Sequence, residues 1–225
     1  MRHPLRSFYE FLDRPLYGAS RVVLATLVLP LLLTFTAPLW KIYLVAPQYP
    51  QGLSMDIWSY KLEGGNGGQD LKEINVLNHY IGMRDLAAED FTEFHWIPFV
   101  AGALGLVMLR AAVHGRMKDL VDALVLMTYF SAFSLWSFAH KLWEYGHNLS
   151  PTAAVKVPGF MPPLFGFQQI ANFEVYSYPM AASYALGGAT LLLVTATGLA
   201  WYRGRRQELP AVVHAAAPGM AGARP

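Results

Sequence analysis

The chain has 225 residues, 54% of them hydrophobic and 14% charged, with a formal net charge of +2 and a mean hydropathy of +0.30. That is too apolar for an ordinary soluble domain and points to an integral membrane protein. The sequence has no cysteine, which excludes disulfides, thiolate metal sites and thioether-linked haem.

A bilayer core about 30 Å thick takes roughly 20 apolar residues per helical span. Four segments qualify: 22–40, 96–113, 120–139 and 181–202. They predict an all-α membrane protein, a four-transmembrane-helix bundle forming one domain over residues 1–206 with two folded periplasmic loops, about 41–95 and 140–180. The charged stretch from Arg2 to Arg21 is long, and no small-x-small site follows the first span, so a cleaved signal peptide is not expected. Pro30 is expected to kink that span, and Ala37-Pro38-Leu39-Trp40 to end it at an interface with an aromatic anchor.

In the first loop, Leu53, Met55 and Ile57 alternate with Ser54, Asp56 and Trp58, the period of a short strand. The glycine-rich run at 64–68 is a turn. Asp70 is placed to cap a short helix, with Glu73 at the capping-box position. That helix carries His79 in its last turn and stops near Gly82. A second short helix, about 87–94, runs into the second span. The third span contains Asp122, costly in a membrane and expected to snorkel or pair with Lys118. Extended by two turns, this span aligns His140, Glu144 and His147 on one stripe, although Gly146 weakens the extension. From Pro151 to Pro163 an extended, membrane-skirting stretch is expected. Phe165, Phe167, Phe173, Tyr176 and Tyr178 follow as an aromatic belt. Residues 207–225, rich in Ala, Gly and Pro, are expected to be a disordered cytoplasmic tail.

Lysine and arginine set the orientation. The N-terminal segment, the short second connection and the tail hold eleven of the 17 basic residues. Both termini are therefore expected in the cytoplasm. The two long loops carry six basic against ten acidic residues, a face suited to cations or basic partners rather than nucleic acid.

Four of the seven histidines, His79, His95, His140 and His147, fall in or at the mouth of these loops, with Met83 four residues after His79. Imidazole and thioether together suit Cu(I), and Glu144 is a further ligand or an acceptor orienting an imidazole. The candidate metal site is thus His79, Met83, His95, His140, Glu144 and His147. Copper is the first choice of cofactor, with iron, zinc, or a b-type haem held by His95 and His140 as alternatives. There is no phosphate-binding glycine loop, nucleophile elbow or His-Glu-x-x-His motif.

The strings PLWKIYLVAPQYPQGL, INVLNHYIGM, WEYGHNL and KVPGFMPPLFGFQQIANFEVYSYP, over about residues 38 to 180, resemble a group of bacterial inner-membrane proteins associated with nitrous oxide reductase maturation and periplasmic copper handling. The resemblance implies a bacterial inner-membrane location and a link to copper-enzyme assembly or anaerobic respiration. The leading expectation is a copper-binding accessory protein presenting its site at the periplasmic face, with a periplasmic copper chaperone or cuproenzyme and the lipid bilayer as partners. The alternatives are a membrane metal-dependent oxidoreductase and a structural subunit of a respiratory complex without its own metal.

Overall fold

The computed structural model describes residues 9 and 11–215, with side chains as far as residue 203. Residues 11 and 12 are already helical, and two short helices, α1 (Gly18–Thr26) and α2 (Val28–Leu33), follow. Pro30 has no N–H for the carbonyl of Thr26 four residues earlier, so the helical ladder opens at Leu27. The broken pair covers Gly18–Leu33, about 24 Å at 1.5 Å per residue, short of a bilayer core of about 30 Å. The expected first span of 22–40 is therefore corrected. Its last residues leave the helix, and Trp40 opens a strand instead of anchoring a helix end.

Three strands follow, β1 (Trp40–Ala46), β2 (Tyr49–Ile57) and β3 (Leu62–Gly64), and then helix α3 (Gln69–Tyr80). Two long helices are next, α4 (Glu93–His114) and α5 (Met117–His147). A hairpin of β4 (Gly166–Ile170) and β5 (Phe173–Pro179) leads into α6 (Ala181–Ala215). The α4, α5 and α6 helices contain segments long and apolar enough to cross a membrane. Because α6 continues to Ala215, the expected disordered tail falls partly on this helix, and its remainder, 216–225, lies outside the described residues.

The expectation of an all-α fold is overturned. The five strands form one antiparallel sheet in the order β3-β2-β1-β5-β4. The two long connections, 41–95 and 140–180, both contribute to it, joined where β1 pairs with β5 from Trp40↔Pro179 to Val45↔Glu174. Phe173, Val175 and Ser177 turn inward while Glu174, Tyr176 and Tyr178 alternate outward. Four of the five aromatics expected to form a membrane belt, Phe167, Phe173, Tyr176 and Tyr178, are thus sheet residues, and Tyr43 of β1 joins Tyr176 and Phe167 ring to ring across three strands at 6.3 and 5.0 Å. Gly52 is required beneath this ladder. It has φ +75°, and a Cβ there would collide with the Tyr43 ring, whose hydroxyl donates to the Gln51 carbonyl at 2.6 Å.

Two cores result. One fills the helical bundle, with Leu24, Leu27, Leu31, Met108, Leu120, Met127 and Leu193 almost fully buried. In it the broken helix packs on α4 and α6, while α5 lies against both. Large apolar side chains such as Phe99, Leu106 and Leu191 remain exposed on the outside of the long helices, the surface a bilayer would cover. At the end of this bundle away from the sheet, Arg21 donates to the Ala112 and Val113 carbonyls, both at 2.7 Å, and closes the C-terminus of α4.

The second core lies under the sheet. Ile74, Leu77 and Ile81 of the α3 segment pack on Leu44, Leu53, Met55 and Val175. The helix expected near His79 is present and ends before Gly82, which has φ +84°. Its start differs from the capping-box expectation. The Asp70 carboxylate, buried in the first turn, accepts from the Ser54 backbone N–H at 2.9 Å and from Asn66 Nδ2 at 2.7 Å. It fastens the helix to β2 instead of capping it. The helix expected at 87–94 is reduced to one 3-10 turn, Ala88–Asp90, before α4 begins.

A second clasp joins β2 to α3. Tyr49 donates a short hydrogen bond to Glu73, which also accepts from Gln69 at 2.9 Å. The Tyr49 bond, and then the Gln69 bond, hold the Glu73 carboxyl below the usual carboxylate range. A lowered folded-state pKa contributes stability above the unfolded value of about 4.3 and loses it as pH falls through the folded value. Tyr49→Phe should therefore lower Tm at neutral pH, with the difference between the two proteins shrinking as pH falls through the lowered folded-state value. Thermal unfolding across that range checks this, and a Tm difference independent of pH would contradict it.

Candidate functional site

Helix α5 has 31 residues, about 46 Å at 1.5 Å per residue, so roughly ten residues exceed what a 30 Å core requires. The surplus projects into the sheet layer and offers three faces. Phe138, Leu142 and Tyr145, at spacings of four and three, face the underside of the sheet. Glu144 points at the connection before α4. His140 and His147 lie on an exposed third face.

The inward face closes a cavity of about 90 Å³. Its roof is β1, β2 and β5 through Ile42, Leu44, Met55 and Val175. One wall is α3 with Ile74 and Asn78, another is α5, and the strap between α5 and β4 adds Phe160, Pro162 and Pro163. Asn78, Lys141 and Tyr145 are its only side chains with polar nitrogen or oxygen. Lys141 donates to the Asp90 carbonyl at 3.1 Å and meets Glu144 at 3.3 Å. The Tyr145 hydroxyl donates to Asp90 Oδ2 at 3.2 Å or the Asp85 carbonyl at 3.3 Å. Asn78 is 6% exposed, and its Nδ2 has no hydrogen-bond partner within the protein.

An ionic brace holds this wall. Arg84 pairs with Glu144 at 2.9 Å and sits over the Tyr145 ring at 4.5 Å, and Phe91 stacks on the same ring at 6.0 Å. These contacts fix the connection 83–92 against the projecting turns of α5.

The six residues singled out by sequence are not gathered in one place. Met83 lines the apolar cavity. His79 is exposed and lines a separate open groove of about 440 Å³ with Tyr49, Ser150 and Thr152. His95 is exposed at the start of α4. Glu144 is committed to Arg84 and Lys141. His140 and His147 share a face, but the Trp143 ring stacks between them, at 6.1 Å from one and 4.4 Å from the other. Seven residues of helix separate them by about 10 Å, whereas metal–nitrogen bonds are about 2 Å. The expected His140-Glu144-His147 stripe is replaced by a ladder of Trp136, His140, Trp143 and His147. Among the described residues no group of three or more His, Asp or Glu side chains is placed to hold a metal ion. A copper, iron or zinc ion shared by the six does not fit this donor arrangement. His95 and His140, the pair expected for a haem, are both exposed residues.

Asp122 lies at a shallow depression with Arg110 and the buried Asp119, not in the expected pairing with Lys118. Sequence reasoning passed over Asn78, Lys141 and Tyr145. The available signal was Asn78 on the same helical face as the apolar Ile74, four residues earlier.

No protein-family profile, curated protein or solved structure matches the chain.

Gly146 shows how tightly the strap is held. Phe160 N–H donates to the Gly146 carbonyl at 3.0 Å, and a Cβ at Gly146 would lie 2.0 Å from the Phe160 carbonyl oxygen. Gly146→Ala should displace the strap and cost about 1–3 kcal/mol, as overpacking does. Limited proteolysis should show faster cleavage between residues 148 and 165, and unchanged cleavage would refute the contact.

Proposed function

We propose that the protein is a membrane-anchored accessory protein that binds an apolar ligand between its extramembrane sheet and the projecting end of α5. The observation that carries this reading is the cavity itself. It is apolar on every side, and two of its three polar side chains already have partners within the protein. Such a site suits capture of a hydrophobic molecule better than acid–base or nucleophilic chemistry. Its position beside Phe138 and Leu142, where α5 leaves the length a bilayer needs, offers a route from the membrane. Charge supports the orientation. The segments forming the sheet layer are rich in acidic residues, while the termini and the short α4–α5 connection hold most of the basic ones. The sheet then stands in the periplasm of a bacterial inner membrane, with both termini in the cytoplasm.

Filling the cavity tests the reading. Val175→Phe places a ring into the space under β5, and Leu86→Phe does so from the connection between α3 and α4. Native mass spectrometry of the protein released from detergent should show a retained hydrophobic molecule in the wild type. Occupancy should fall about tenfold in either variant, a change of about 1.4 kcal/mol, while Tm holds or rises. Equal occupancy in all three proteins would remove the cavity as the site.

A copper-handling role is a second reading, favoured by one contact. His147 Nδ1 lies 2.9 Å from the Trp143 carbonyl, which can only accept, so the proton sits on Nδ1 and the Nε2 lone pair is left for a ligand. In this reading exposed imidazoles act singly and a periplasmic copper chaperone or cuproenzyme supplies the remaining ligands. Cu(I) titration of the protein, with His140→Ala and His147→Ala, tests it. Binding that weakens in these variants supports the role, and identical isotherms exclude these residues from it.

A further inference from the structure

The sheet has two edges, and the chain protects only one of them. We infer that the open edge, β4, takes a basic extended segment of another protein as a sixth strand, paired through its backbone. The inference concerns the outside of the sheet and does not depend on the cavity beneath it.

Hydrogen bonding locates the open groups. β4 pairs with β5 alone. Ile170 and Phe173 close a two-residue hairpin, so theirs is a hydrogen-bonded pair, and bonded pairs alternate from there. Gln168 and Gly166 therefore turn their N–H and C=O toward β5, while those of Phe167 and Gln169 turn outward. Among the described residues no other backbone group pairs with them, and both residues are exposed, Phe167 by 54%. The opposite edge is treated differently. β3 has three residues, carries the Lys61–Glu63 ion pair at 3.1 Å, and lies against the start of α3, where a Cβ on Gly64 would be 2.7 Å from Leu71 Cβ. Short length, charge and a covering helix are common defences of an edge strand. β4, Gly-Phe-Gln-Gln-Ile, carries neither a charge nor a proline.

The fold rules out two occupants. Residues 1–8 and 216–225 leave the described chain at the other end of the bundle, where Phe11 packs on Trp201 at 4.8 Å. A bilayer crossed by the three long helices separates that end from the sheet. A second copy is excluded by polarity. The strands have one end at the bundle, near Trp40 and Pro179, and the other at the turns 47–48 and 171–172. Antiparallel pairing of two β4 strands would set the two bundles at opposite ends of the joint sheet, which one bilayer does not allow. Parallel pairing interleaves outward residues with a one-residue offset that a two-fold axis does not supply. What remains is strand addition by a different protein on the same side of the membrane.

The outer face sets the chemistry of that strand. Phe167 ends the ring ladder begun by Tyr43 and Tyr176 and leaves its ring open to an apolar side chain. Gln169 pairs with Glu174, whose exposed carboxylate accepts from the Tyr176 hydroxyl at 3.1 Å and has no ion pair among the described residues. A lysine or arginine opposite Gln169 stands two strand spacings from that charge, about 10 Å, the screening length at moderate salt. The fitting pattern is an apolar residue and a basic one, two positions apart.

The test uses the full chain in detergent and a fluorescein-labelled eight-residue peptide, with threonine at odd positions and valine and lysine in turn at even ones. Affinity is read by fluorescence anisotropy, and strand formation by the infrared shift of a carbon-13 carbonyl in the peptide. Gln169→Pro removes an outward N–H and leaves the β4–β5 ladder intact. It should weaken binding about fivefold, the loss of one hydrogen bond, while Gln169→Thr binds as wild type does. N-methylation of the central peptide amides should abolish binding, and this arm needs no variant to fold. Replacing the lysines by glutamate should weaken it as well. No binding to wild type, or binding indifferent to both the proline and the N-methyl groups, would overturn the inference. Equal affinity for the lysine and glutamate peptides would overturn the basic partner. Native mass spectrometry showing a wild-type dimer that Gln169→Pro dissociates would give the edge to a second copy and overturn it too.

Discussion

Everything above the helical bundle depends on the pairing of β1 with β5. Trp40 and Ser177 are 137 residues apart, yet the indole N–H of Trp40 donates to the Ser177 hydroxyl at 2.7 Å, and the strands on either side run in register for six pairs. This ladder merges two loops into one sheet. It also fixes the ends of the bundle, because β1 follows α2 after six residues and β5 is followed at once by α6. The Met180 N–H and the Ser183 hydroxyl both donate to the Leu39 carbonyl, at 2.8 and 2.6 Å, while the buried Ser59 hydroxyl donates to the Thr34 carbonyl at 2.7 Å. Closing a loop of such length is entropically costly, and the backbone hydrogen bonds and buried apolar faces of five strands offset that cost.

Once the sheet is in place, the excess length of α5 becomes consequential. A helix matched to the bilayer would leave the underside of the sheet to α3 alone. Two additional turns bring Phe138, Leu142 and Tyr145 under β1 and β5, and Glu144 into reach of Arg84. The brace and the strap then hold that end from opposite sides, so the cavity is bounded by four separate segments of the chain. The same turns expose Trp143 and the two histidines on the face left over.

Much of the helical architecture was legible in the sequence. Three of the four expected spans correspond to helices of sufficient length, because long apolar runs allow few alternatives. The fourth was misjudged. Pro30 was expected to kink a continuing helix, but the helix ends at Leu33 and the apolar run that follows belongs partly to β1. Residues 40–46 are nearly all apolar, and periodicity alone does not separate such a strand from the end of a span. At 173–179 the alternation of Phe173, Val175 and Ser177 with Glu174, Tyr176 and Tyr178 was present, but the density of aromatics favoured a membrane belt. The short strand near Leu53 and the helix before Gly82 were legible because each carries its own local period and stop signal.

The histidines mark the boundary of what sequence could give. Their placement in or near the two long connections followed from residue order, and their grouping into one site did not follow. Spacing at i, i+4 and i+7 put His140, Glu144 and His147 within one broad stripe, but Glu144 had nearer cations in Lys141 and Arg84, and Trp143 filled the space between the imidazoles. The sequence by itself determined the apolar helices, the asymmetry of charge and the local elements of the outer segments, because these depend on composition and short-range period. Only the tertiary structure decided that the outer segments form one sheet, that Asn78 faces an apolar cavity and that the histidines stay apart. Those outcomes are set by contacts between residues tens to more than a hundred positions apart, to which no local pattern is bound.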